Sequence, residues 1–80
     1  MFRALRSMPR MDRGVRQLTP REREVVQLVA QGRSNREIGR ELVITEGTAR
    51  VQVSRILAKL NLDSRLQLAV WALTIGLMSS

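Results

Sequence analysis

The sequence predicts an all-α domain of four helices, with the middle pair arranged as a helix-turn-helix. Three observations carry this. Capping boxes stand at Thr19-Pro20-Arg21-Glu22 and at Ser34-Asn35-Arg36-Glu37. Apolar residues recur at three- and four-residue spacing between the breaks. The breaks themselves, at Gly32, at Val43-Ile44 and at 61–64, are too short to hold anything but tight connections. Together they place helices at about 20–31, 35–42, 46–60 and 64–77.

Each element has its own reason. Thr19 caps the first helix, Pro20 suits the first helical position, and Val25, Val26, Leu28 and Val29 form its apolar stripe. Gly32 closes it as a left-handed cap residue. Ser34 and Glu37 open the second helix, where Ile38 and Leu42 point inward. Gly39 lies between them at a cost of about 1 kcal/mol against Ala, which a close helix–helix approach would explain. Val43 and Ile44 fill the turn. Thr45 opens the third helix, with Glu46 favourably placed in its first turn. At 100° per residue, Ala49, Val53, Ile56 and Leu60 gather on its core side. The opposite arc carries Gly47, Arg50, Val51, Ser54, Arg55 and Ala58, with no carboxylate, so it suits close approach to a polyanion.

The fourth helix is apolar on two sides. Leu66, Val70, Leu73 and Leu77 are expected to close the core. Leu68, Trp71, Ala72 and Ile75 would then be left as an exposed face, most simply covered by the same helix of a second copy in a homodimer. The competing reading is that residues 1–16 or a preceding domain cover that face. Residues 1–16 hold five Arg and one Asp and read as a flexible basic linker or tail, with 17–80 as the folded domain. A basic arm contacting nucleic acid is the functional alternative for the tail.

Composition narrows the function. The 80 residues include 14 Lys and Arg against seven Asp and Glu, a net charge of +7 with a pI near 11.8. Lys59 is the only lysine; the other cations are Arg, whose planar fork suits phosphate oxygens and guanine edges. A small domain of this charge is a candidate for nucleic acid. Phe2 and Trp71 are the only aromatics, which argues against RNA modules that stack bases on aromatic platforms. There is no Cys and no His, and no Gly-rich phosphate loop, so no metal site, cofactor or small-molecule substrate is expected and an enzyme has almost no footing. No apolar run reaches transmembrane length and the N-terminus lacks a secretory h-region, so a cytoplasmic protein away from membranes is expected.

The stretches LTPREREVV, GRSNREIGREL, ITEGTARVQV and KLNLDSR resemble the LuxR-type helix-turn-helix family, and within it the effector domains of NarL/FixJ response regulators. The resemblance runs from Leu18 to about Leu77. LAVWAL looks especially like the nitrate/nitrite regulators of that family. The resemblance implies sequence-specific binding of double-stranded DNA by the output domain of a two-component transcriptional regulator. The third helix would lie in the major groove and the fourth would mediate dimerisation. It implies Arg50, Val51, Ser54 and Arg55 as base-reading residues, and Ser34, Asn35, Thr45, Thr48 and Lys59 as phosphate contacts. For Ser34 and Thr45 capping is the stronger reading; Arg33 and Arg36 read as a solvated basic rim, and Glu22 and Glu37 as capping carboxylates. The family's phospho-receiver domain is absent from this chain. Gly39 replaces a usual Ala, Ala49 a usual Val, and Gln52 stands where many members carry His or Asn. A sigma-factor region-four-like promoter-reading module is the alternative, and a third possibility is a protein-interaction domain whose Arg face binds an acidic partner.

Overall fold

The computed structural model describes residues 14–76. A helical turn over 14–17 precedes four helices: α1 Pro20–Ala30, α2 Asn35–Leu42, α3 Glu46–Leu60 and α4 Arg65–Thr74. No strand occurs among the described residues. The helix bounds agree with the sequence reading to within one residue, except that α4 ends at Thr74 and Leu77 lies outside the described residues.

Side-chain caps start every helix. Thr19 Oγ1 accepts the Glu22 amide at 3.1 Å while Glu22 Oε1 accepts the Thr19 amide at 2.9 Å. Ser34 and Glu37 repeat the arrangement at 3.1 and 2.8 Å. Thr45 and Ser64 accept from the amides of Thr48 and Gln67. Each such cap contributes about 1 kcal/mol. Left-handed residues follow all four helices: Gly32, Val43, Asn61 and Gly76. Gly32, at φ +85°, lets Arg33 N–H reach the Leu28 carbonyl at 3.0 Å and closes α1. Asn61, at φ 57°, closes α3 with a 2.9 Å bond from Leu62 N–H to the Leu57 carbonyl.

The end of α2 differs from expectation. Ile44 packs against the core, but Val43 is 90% exposed and sits at φ 58°. Val43 therefore does not fill the turn. It holds the left-handed geometry that lets Ile44 N–H reach the Gly39 carbonyl at 2.8 Å. A β-branched residue there is strained by about 1–2 kcal/mol. Val43→Gly relieves that strain and gives part of it back as unfolded-chain entropy, so a net gain of about 0.5–1 kcal/mol is expected. Urea denaturation reads this directly, and an unchanged or lower midpoint would refute the strain.

The core joins all four helices. Val25, Val26, Leu28 and Val29 from α1 meet Ile38 from α2, Ala49, Val53 and Ile56 from α3, and Leu68 and Ala72 from α4. α1 packs chiefly on α4, and α2 on α3. Gly39 is buried, and the close approach expected of it is to the turn and to the first residue of α3, whose Glu46 nitrogen would lie 3.4 Å from a Cβ placed there. A Cβ there would lie 2.7 Å from the Ile44 carbonyl oxygen and 3.3 Å from the Thr45 carbonyl carbon. Glycine at this position lets the turn fold back over α2 and sets how near α3 starts.

The two faces of α4 are the reverse of the expected pair. Leu68 and Ala72 are fully buried, and Trp71 and Ile75 pack against the core. Leu66, Val70 and Leu73, expected to close the core, are 73%, 53% and 57% exposed. The cause is at the start of the helix. Arg65 donates to the Asn35 side chain at 2.7 Å and to the Arg33 carbonyl at 2.6 Å. Arg65, Leu68 and Ala72 share one face of a helix. Tying Arg65 to the α1–α2 connection therefore turns Leu68 and Ala72 inward, and small Ala72 allows α4 to lie close to α1.

Residues 14–17, read from the sequence as part of the tail, pack on the helical unit. Gly14 is buried, and a Cβ on it would stand 2.9 Å from Trp71 Cζ2 and 3.1 Å from Leu60 Cδ2. Arg23 and Lys59 donate to the carbonyls of Val15 and Gln17 at 3.3 and 3.2 Å. Residues 14–17 thus cover part of the surface at Trp71 that had been assigned to a partner. The rest of the tail, residues 1–13, lies outside the described residues.

Candidate nucleic-acid interface

The outer side of α3 is a continuous exposed strip. Ala49, Val53 and Ile56 are buried beneath it, so the helical repeat turns Arg50, Val51, Ser54 and Arg55 to the surface, flanked by exposed Gly47 and Ala58. Val51 is 48% exposed. Arg50 leans toward the start of the helix, where its Nη2 lies 3.9 Å from Glu46 Oε2. The strip combines two guanidinium groups, a short hydroxyl and one apolar side chain. That set can offer paired donors, a short polar contact and a surface for a thymine methyl.

The expected phosphate contacts fare differently. Thr48 is exposed at the first turn of α3, and its hydroxyl oxygen accepts from Thr45 Oγ1 at 2.8 Å. That leaves the Thr48 proton to donate outward. Thr45 and Ser34 are the N-caps of α3 and α2. Asn35 presents its oxygen to Arg65. Lys59 is turned away from the α3 strip altogether. Its ammonium contacts both Glu22 carboxylate oxygens, at 2.8 and 3.1 Å, together with the Gln17 carbonyl. The capping carboxylate of α1 captures Lys59 because the last turn of α3 ends beside the first turn of α1.

Arg65 is the residue that sequence reasoning missed. A signal was present: a cation in the first turn of a helix opposes the helix dipole, so its place there needs another reason. The reason is the clamp on Arg33 and Asn35. It fixes the start of α2, which is the outer edge of the helix-turn-helix.

Two caps respond to acid. Partial burial acts to raise the Glu22 carboxyl, but hydrogen bonds from Lys59 and Thr19, with the Lys59 charge, outweigh it and hold the group below its ordinary 4.5. The Ser34 amide, opposed by slight desolvation and aided by the Ser34 hydroxyl, holds Glu37 below its ordinary value as well. Depressed carboxyls stabilise the fold above their unfolded pKa, and that contribution is lost as pH falls through the folded value. The thermal midpoint should therefore fall as pH is lowered from about 5 toward 3. Glu22→Gln should lower the midpoint at pH 7 and flatten that fall, and an unflattened profile would refute the linkage.

The family model "Bacterial regulatory proteins, luxR family" matches residues 16–72, nearly the whole helical unit. The chain belongs to this family. It is 52% identical over 60 residues to the nitrate/nitrite response regulator protein NarL of Escherichia coli, an alignment covering 75% of this chain and 28% of that protein. It is 47% identical over 55 residues to the transcriptional regulatory protein LiaR of Bacillus subtilis, covering 69% of this chain and 26% of LiaR. Over 50 residues it is 48% identical to the transcriptional regulatory protein DesR of the same organism, covering 62% and 25%. The chain spans about a quarter of the length of these relatives. DNA-binding transcription regulation is the function that the family and these relatives support. Double-stranded DNA is the partner of a LuxR-type helix-turn-helix domain. Among the described residues no helix is long and apolar enough to cross a membrane.

Proposed function

We propose that this domain is the DNA-reading output unit of a two-component response regulator, with α3 lying in the major groove. The observation that carries the reading is the exposed α3 strip of Arg50, Val51, Ser54 and Arg55 set on a capped helix whose opposite face is buried. Arg50 and Arg55 hold guanine edges or flanking phosphates, Val51 packs on a thymine methyl, and Ser54 contacts a base directly or through water. Thr48 and the capped starts of α2 and α3 fix the domain on the backbone. Asn35 and Lys59 act indirectly, through Arg65 and Glu22.

A homodimer through α4 completes the reading, with the face corrected. Leu66, Val70 and Leu73 follow one another at i, i+4 and i+7 and are the large apolar side chains α4 leaves in solvent. Two copies pairing this stripe would set two α3 helices against paired half-sites. In the intact regulator a receiver domain would precede residue 14 and control access to this arrangement. Its cellular place would be the cytoplasm.

The test is discrimination. Arg50→Ala with Arg55→Ala should reduce the preference for a selected duplex over random DNA by tenfold or more, since each good base pairing carries about 1–3 kcal/mol. Fluorescence anisotropy at fixed salt measures both affinities. Unaltered discrimination in a folded double variant would overturn the base-reading assignment.

A further inference from the structure

We infer that Glu46 is a positioning residue for Arg50, and that the pair sets specificity at one guanine of the bound site. The inference rests on the base-reading role proposed for α3. Glu46 is the only carboxylate in the fifteen residues of that helix. It stands in the first turn, 54% exposed, at the end that a groove-reading helix presents to the DNA. A negative charge there repels phosphate, so it weakens every backbone contact nearby.

The geometry gives that charge a second task. Glu46 and Arg50 are one turn apart, and their charged ends lie 3.9 Å from each other. Arg50 is 67% exposed, so without a neighbour its guanidinium would sweep many rotamers. The carboxylate biases it toward the arc over the first turn. An exposed pair of this kind is weak, so a guanine edge can draw the fork away at little cost. The remaining fork is already oriented, and less side-chain freedom is lost on binding. The same carboxylate disfavours the competing state in which Arg50 simply neutralises a phosphate. Specificity thus gains both from the attraction to guanine and from the penalty on backbone-only binding.

An acidic residue in a first turn also stabilises its helix through the dipole. Glu46→Gln separates the two roles, because a dipole role alone lowers the melting temperature and leaves base choice untouched. The experiment is a selection from a duplex library with a randomised core, run with the unaltered protein, Glu46→Gln, Arg50→Ala and the double variant. With Glu46→Gln, preference for guanine at one position should fall about twofold, the scale of an exposed pair one helical turn apart, and affinity for random duplex should rise about threefold as a repelling charge is lost. In the Arg50→Ala background the same change should leave the selected profile as it was. Three results overturn the inference. The Glu46→Gln profile could match the unaltered one while Arg50→Ala loses its guanine, which removes the positioning role and leaves base reading intact. Glu46→Gln could change the profile equally in both backgrounds, which makes Glu46 a direct reader of a base such as cytosine. Arg50→Ala could leave the profile unchanged, which removes base reading by Arg50 and the inference with it.

Discussion

Leu68→Glu unfolds the domain. The side chain is fully buried against α1, and a carboxylate there has neither water nor, among the core residues, a charged partner. Burying such a charge, together with the lost packing, costs about 4 kcal/mol or more. A domain of this size has only about 5 kcal/mol to lose. Even Leu68→Ala should cost about 2–5 kcal/mol. The opposite face behaves differently. Leu73 is 57% exposed, so Leu73→Glu should leave the melting curve of the monomer within about 0.5 kcal/mol. If the α4 stripe pairs two copies, the same variant loses self-association. Circular dichroism melts and sedimentation on the two variants make the contrast. A folded, monomeric Leu68→Glu protein would restore the face assignment that the sequence alone suggests.

Gly39→Val is the second large effect. The new Cβ would lie 2.7 Å from the Ile44 carbonyl oxygen, a backbone atom that cannot rotate aside. Two further methyl groups would crowd the same turn. Overpacking and backbone displacement together should cost about 3 kcal/mol. Gly39→Ala is the sharper test because two effects oppose. Alanine gains about 1 kcal/mol of helix preference, but its Cβ meets the same oxygen, so a net loss of about 1 kcal/mol is expected. The displaced turn also carries Thr45 and the first turn of α3 with it. DNA affinity should therefore fall more than stability alone accounts for. A Gly39→Ala protein that is more stable and binds as tightly would show that the turn yields freely.

Much of this is legible in the amino-acid sequence. The capping boxes at Thr19 and Ser34, the stop at Gly32 and the core stripe of Ala49, Val53 and Ile56 are local signals, read within one or two helical turns. Their geometry depends on backbone amides and side chains close in sequence, so tertiary context had little to alter. The α3 strip was legible for the same reason: once its core side is known, the outer side follows from the helical repeat. Lys59 and Asn35 each have a partner far along the chain that the sequence does not reveal, 37 residues away for Glu22 and 30 for Arg65. Charge type alone could not say whether a cation meets a phosphate or a carboxylate.

Helix α4 marks the boundary between the two kinds of information. Its amino acids determine that a helix forms and that two opposite faces are apolar. They do not determine which face is buried, because Leu66, Val70 and Leu73 are as hydrophobic as Leu68, Trp71 and Ile75. That choice is made by Arg65 gripping the start of α2, by Ala72 allowing a close approach to α1, and by residues 14–17 lying against Trp71. Local periodicity therefore specifies the four helices, their caps and the exposed strip of α3. Only contacts between residues distant in sequence set the rotation of α4, and with it which apolar stripe is left exposed.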